Sequence, residues 1–152
     1  MAIVADILAH KGSQVFVVSP GASVLDATLL MNRHRIGALV VIENEVGEPD
    51  CDRVAGMFTE RDVLTRVICL QLDPATTIVG EIMTRDVAFC RPQTDIDEVS
   101  AVMRERRIRH LPVCSEEGKL KGMVSIGDLN AWYARGCEAE IHYLQEYIHG
   151  RV

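Results

Sequence analysis

The amino-acid sequence predicts an α+β fold made of two β-α-β-β-α repeats packed around a pseudo-two-fold axis, with a further helix at the C-terminus. The first observation behind this is a heptapeptide written twice, "GMFTERD" at 56–62 and "GMVSIGD" at 122–128. The second is a longer alignment. Placing Pro20 on Pro92, an offset of 72, sets Met31 on Met103, Arg35-Ile36 on Arg107-Ile108, Leu39 on Leu111 and Val41 on Val113. The third is that strand-like and helix-like apolar spacings alternate in the same order in both halves.

Each half opens on a short apolar strand, "VFVV" (15–18) or "VAFC" (87–90), ended by Pro20 or Pro92. Ser23-x-x-Asp26 and Asp95-x-x-Glu98 then have the form of capping boxes, in which side chain and backbone amide satisfy each other at a helix start. The helices that follow carry Val24, Ala27, Leu30 and Met31, or Ile96, Val99, Val102 and Met103, on one face. "GALVVI" and "HLPVC" read as second strands, "RVAGMF" and "LKGMVS" as third strands, and "RDVLTRVICL" and "GDLNAWYAR" as second helices. Past Val41 the offset falls to 66, because "IENEVGEPDCDRVAG" is six residues longer than "CSEEGKLKG", which predicts a longer hairpin loop in the first half.

These elements divide the chain into a first repeat at 1–72, a second at 73–136 and a C-terminal amphipathic helix at 137–152. The linker, about 73–80, contains Pro74, and "TIVGEIM" in this region echoes "IVADIL" at 3–8, so the N-terminal segment belongs to the repeat. Neither repeat, at about 55 to 60 residues, buries much surface alone, so the two are expected to pack face to face and create paired clefts. Gly136 is read as a helix stop. Beyond it Ile141, Leu144 and Ile148 share a face with Tyr147 alongside, to cover the domain's own core or to dock on a second subunit.

Composition narrows the function. The 152 residues are 48% apolar and carry a formal charge of −6, from 22 acidic residues against 16 Lys plus Arg, which disfavours nucleic acid and anionic membranes as partners. No run of about 18 apolar residues occurs, and "MAIVADILAHKGS" meets Asp6 and His10 too early for a signal peptide, so a cytoplasmic protein with no membrane contact is expected. Cys51, Cys69, Cys90, Cys114 and Cys137 stand singly, without metal-ligand spacing, and no structural metal is expected. Cys90 and Cys114 lie in apolar runs and read as core thiols, whereas a redox role for Cys51 or Cys137 has no neighbour to depress a thiol pKa. His10, His34, His110, His142 and His149 have no nucleophile or carboxylate partner by motif, and no Gly-rich phosphate loop occurs, so catalysis is not expected.

The doubled heptapeptide carries the chemistry. Thr59-x-x-Asp62 and Ser125-x-x-Asp128 are capping boxes in form. Their context, a strand running straight into a helix start, also leaves backbone N–H groups and a positive dipole end for an anion, and a carboxylate there accepts both hydroxyls of a ribose.

The β-α-β-β-α duplication, "GMFTERD", "GMVSIGD", "EIMT" and "RIRHLPV" resemble a pair of CBS domains, the Bateman module named after cystathionine β-synthase, over residues 3 to about 135. The tail "EIHYLQEYI" resembles the last helix of stand-alone members. The resemblance implies an adenosyl ligand between the halves: AMP, ADP, ATP, NAD(H) or S-adenosylmethionine. It implies that Asp62 and Asp128 hold ribose hydroxyls, that Thr59 and Ser125 bond ribose or phosphate, and that Val15 and Val87, with Ala38 in "GAL" and His110 and Pro112 in "HLP", enclose the adenine. Arg61 has Gly127 as its counterpart, and Arg109-His110 have Gly37-Ala38, so the two clefts are expected to be unequal. If Arg61 meets Arg109 and His110, one cleft binds phosphate; otherwise the arginines are surface charges paired with Glu60 or Glu105. Pro112 argues for a strand edge or bulge. The implied function is a homodimeric regulatory sensor of energy or redox state acting on a partner protein. The alternative is a ligand-free dimeric scaffold.

Overall fold

A computed structural model describes residues 1–44, 52–148 and 150. The predicted long hairpin loop, with Cys51, and His149 lie outside the described residues. The elements are α1 (Val4–Lys11), β1 (Val17–Val18), α2 (Val24–His34), β2 (Ala38–Asn44), β3 (Asp52–Thr59), α3 (Glu60–Asp62) leading into a π-helical stretch (Val63–Ile68), α4 (Val79–Ile82), α5 (Ile96–Arg106), β4 (His110–Cys114), β5 (Leu120–Ser125) and α6 (Ile126–Ile148).

The duplication holds down to its irregularities. β2 and β3 pair antiparallel with a register slip between Val41 and Ile42, and β4 and β5 pair antiparallel with a slip between Val113 and Cys114, the equivalent position. α2 and α5 both end on an arginine in the left-handed region, Arg35 at φ 53° and Arg107 at φ 54°, where glycine is the usual residue. At the helix starts Ser23 accepts the Asp26 N–H, whereas Asp95 accepts the N–H of Asp97 and not that of Glu98. The first strands are shorter than predicted. Val17–Val18 pairs parallel with β2 (Val18↔Val41), and in the second half only Cys90 bridges, to Val113. Val15 and Val87 instead lean on the core between the halves, which is built on buried Ala38, Val40 and Met57.

Packing exchanges two segments between the repeats. Val4 and Ile7 of α1 join the core of the second half with Ile96, Val99, Met103 and Leu111, and Ile3 bridges Asp95. Val79, Ile82 and Met83 join the core of the first half with Val24, Met31, Leu39 and Phe58, and Ile78 bridges Ser23. Each repeat is therefore completed by the segment preceding the other, which ties the halves together more firmly than a boundary at 72/73 suggests.

Gly136 does not stop the last helix, and α6 runs through it to Ile148. A mid-helix glycine costs only about 1 kcal/mol against alanine, and it stands among helix formers such as Ala134, Arg135 and Ala139. The first part of α6 is fixed to the body. Leu129 is buried, Trp132 packs on the second core, and the Tyr133 hydroxyl donates to Asp97 Oδ1 at 2.5 Å. Past that point Ile141, Leu144, Tyr147 and Ile148 are exposed, so the apolar stripe does not cover the domain's own core. Among the described residues no helix is long and apolar enough to cross a membrane.

Candidate functional site

Strand-to-helix corners generate the site. At the end of β3 the Thr59 hydroxyl accepts the Asp62 N–H at 3.4 Å, and Asp62 Oδ2 accepts the Thr59 N–H at 2.9 Å, a complete capping box. The other carboxylate oxygen, Oδ1, accepts from the Thr84 hydroxyl at 3.3 Å and lies 3.8 Å from Arg66 Nε. Asp62 is buried, 5% exposed. Burying a carboxylate is costly unless donors surround it, and here they do.

Asp62 lines a cavity of about 540 Å³ between the halves, within the range of nucleotide-sized pockets. Thr59, Glu60 and Arg61 come to it from the first repeat, Thr84, Asp86, Val87 and Ala88 from the segment entering the second, and Arg106 through His110 from the end of α5 and the start of β4. Arg61 Nη1 donates to the Arg107 carbonyl at 3.3 Å, spanning the two halves. Among the described residues neither Arg61 nor Arg109 makes an ion pair, so their charges face the cavity without the surface pairing considered from sequence. Burial, and then the Arg109 guanidinium, hold the His110 imidazole below its ordinary range against the opposing pull of Asp128 and Glu60.

The second corner is built alike and occupied differently. Ser125 N–H and hydroxyl donate to Asp128 Oδ2 at 2.7 and 2.9 Å, but the same oxygen also takes Lys11 Nζ at 2.7 Å. α1 is one turn longer than α4, its counterpart, and that turn brings Lys11 to the capping oxygen of Asp128, whereas Thr84 takes the other carboxylate oxygen of Asp62. Phe16 and His34, the equivalents of the cavity residues Ala88 and Arg106, stack on each other with ring centroids 4.1 Å apart. At the second corner Lys11 thus pairs with the aspartate, and Phe16 and His34 pair with each other.

Of the residues predicted for the site, Thr59, Arg61, Asp62, Val87, Arg109 and His110 meet in one cavity. Ser125 and Asp128 sit at the other corner. Ala38 is fully buried in the core between the halves, where Val15 packs beside it. Pro112 is buried within β4 opposite Met123, one position from the register slip, and its carbonyl accepts the Cys90 N–H. None of these five lines the cavity. The doubled motif does not single out Thr84, Arg106, Arg107 or Lys11. Signals exist for each: Thr84 ends "EIMT", "RERRIRH" concentrates arginines at the end of α5, and Leu8 to Val15 is three residues longer than its counterpart, Met83 to Val87.

Burial works to raise the Asp128 carboxyl, but the hydrogen bonds from Lys11 and Ser125 outweigh it and hold the group below its usual range. A carboxyl depressed on folding stabilises the protein above its unfolded value, near 4, and loses that contribution as pH falls through the folded value. Lys11→Ala should therefore cost about 0.5–1 kcal/mol at pH 7, the scale of a partly exposed pair. Urea unfolding at several pH values checks this, with the gap between variant and wild type closing below about pH 4. Burial likewise pushes the Cys90 thiol up to about 12 and raises Cys114, so both are protonated core residues.

Two repeats, exchanged entry segments and a ligand-sized cavity between the halves define a CBS pair, a regulatory ligand-binding module. The chain belongs to the CBS domain family, which matches residues 4–68 and 79–135. It is 37% identical over 130 residues to the mitochondrial CBS domain-containing protein CBSX3 of Arabidopsis thaliana, across 84% of this chain and 61% of that protein's length. It is 32% identical over 117 residues to the CBS domain-containing protein YhcV of Bacillus subtilis, across 77% of each. Its fold matches a protein with CBS domains from Burkholderia ambifaria at a TM-score of 0.77 and 40% identity, over 84% of this chain and 90% of that one.

Proposed function

We propose that this protein binds one adenine nucleotide, AMP, ADP, ATP or NAD(H), in the cavity between its repeats, and that as a homodimer it passes energy or redox state to a partner protein without catalysing a reaction. The observation that carries this reading is the meeting of Asp62 and Thr59, from one half, with Arg106, Arg107 and Arg109 from the other, around a single cavity. A carboxylate held by donors suits ribose hydroxyls, and the guanidinium groups suit phosphate oxygens. S-adenosylmethionine, whose sulfonium is cationic, suits an arginine-rich wall less well. A ligand touching both halves favours one relative arrangement of them, and that differential affinity is the signal. The free thiols Cys69, Cys90, Cys114 and Cys137 suit a reducing compartment, and the cytoplasm is the one proposed.

A thermal-shift panel of AMP, ADP, ATP, NADH and S-adenosylmethionine tests the reading. A ligand at a hundredfold excess over its dissociation constant adds about 2.7 kcal/mol. We expect that gain in the wild type and in Asp128→Asn, with calorimetry giving one ligand per chain, and its loss in Asp62→Asn. No shift with any of the five would favour the ligand-free scaffold, a reading for which the uncovered apolar stripe of α6 also speaks.

A further inference from the structure

From Tyr133 to Ile148 every residue of α6 except Glu146 is exposed, so the outer part of the helix stands clear of the body. A helix of this length is marginal in water on its own. This one includes Gly136 and the β-branched Ile141 and Ile148, which lower helix propensity further. It needs a surface to lie against.

The apolar stripe fixes the shape of that surface. Ala134, Cys137, Ile141, Leu144 and Ile148 recur at alternating spacings of three and four, the a and d pattern of a coiled coil. Ala134, Ile141 and Ile148 take the a positions, and Cys137 and Leu144 take d. Isoleucine at a with leucine at d favours two strands, so the stripe accepts one helix. Its side chains grow larger outward from Ala134 and Cys137, and Ile141, Leu144 and Ile148 are 55%, 49% and 76% exposed, so the grip lies at the outer end.

Charge fixes the chemistry. The e and g positions beside the stripe hold Glu138, Gln145, Glu140 and Tyr147, and from Cys137 to Ile148 there is neither lysine nor arginine. Glu146 lies on the far side of the helix, 3.3 Å from His142. A second α6 brings no cation to Glu138 and Glu140, whereas a helix with lysine or arginine at its own e and g positions meets opposite charge at both.

We infer that the outer part of α6 is the docking seam for a basic amphipathic helix of a partner protein, packed on Ile141, Leu144 and Ile148 as a two-stranded coil and steered by Glu138 and Glu140. The inference rests on the reading that this protein acts on a partner, and it names the partner's chemistry.

The probe is a fluorescein-labelled peptide of about three heptads with isoleucine at a, leucine at d and lysine at every e and g, compared with a twin that carries glutamate at e and g. Titrated with the full chain and followed by fluorescence anisotropy, the basic peptide should bind at least about tenfold more tightly than the acidic one. Leu144→Glu should abolish that binding. Non-specific attraction to an acidic protein predicts the opposite, tighter binding to the more negative variant, and that result would overturn the seam. Glu138→Lys combined with Glu140→Lys should transfer the preference to the acidic peptide, which also shows that the variant helix is intact. Equal binding of the two peptides, or binding of neither, overturns the inference. So does a fall in oligomeric state on Leu144→Glu by light scattering, since a second copy would then hold the seam. The nucleotide panel reads the other site separately: a nucleotide shift without peptide binding removes the seam alone, and peptide binding without a nucleotide shift removes the nucleotide reading alone.

Discussion

Arg61→Ala is expected to weaken ADP and ATP about 10- to 100-fold, the loss of one charge-assisted contact to phosphate worth about 1.5–3 kcal/mol. Adenosine, which has no phosphate, should bind the variant as it binds the wild type. Arg61 is exposed and its hydrogen bond to the Arg107 carbonyl is long, at 3.3 Å, so the melting temperature without ligand should move by no more than about 2 °C. Isothermal titration with the three ligands separates the roles. An equal loss for adenosine and ATP would make Arg61 a structural tie between the halves and would remove phosphate from the proposed site. The contrast depends on the unequal corners: the position of Arg61 is taken by Gly127 in the second copy, where Lys11 already neutralises the aspartate.

The repeat was legible in the sequence because buried positions repeat one for one: Met31 with Met103, Leu39 with Leu111 and Val41 with Val113 are all core residues. The motif aspartates were legible as caps for the same reason, since a helix start demands an acceptor. The division of labour between the corners was harder to read. It depends on where α1 and α4 end, and helix ends turn on a few tenths of a kcal/mol per residue. The exchange of entry segments depends on tertiary packing, as Val4 and Val79 have the same local surroundings in sequence and differ only in which core receives them. "VAFC" has strand composition, yet Val87 and Ala88 line the cavity and leave only Cys90 to pair. Lining a cavity and pairing in a sheet draw on the same residue types, so composition does not separate them.

Gly56→Ala should destabilise the protein by about 1–3 kcal/mol, the range of overpacking in a core, whereas Gly122→Ala should cost less than about 1 kcal/mol. The two glycines open the two copies of the heptapeptide, and each lies where the other repeat's entry segment crosses closely. A methyl group on Gly56 would stand 2.7 Å from the Met83 sulfur and 2.7 Å from the Thr84 carbonyl oxygen. That carbonyl accepts the Met57 N–H at 2.9 Å, and the Thr84 N–H donates back to Met57 at the same distance, so backbone held by paired hydrogen bonds has to move. On Gly122 the near atoms are the two Cδ methyls of Leu8, at 2.9 and 3.1 Å, side-chain atoms that can shift without moving hydrogen-bonded backbone. At about 2–4 °C per kcal/mol for a chain of this size, the difference is readable by differential scanning calorimetry. The larger loss also reaches the ligand. Moving Thr84 withdraws its hydroxyl from Asp62 Oδ1 and frees that carboxylate to turn, so Gly56→Ala should weaken nucleotide binding although residue 56 does not line the cavity. Equal destabilisation by both substitutions, with unchanged nucleotide affinity, would show that the Met83–Thr84 crossing does not position Asp62.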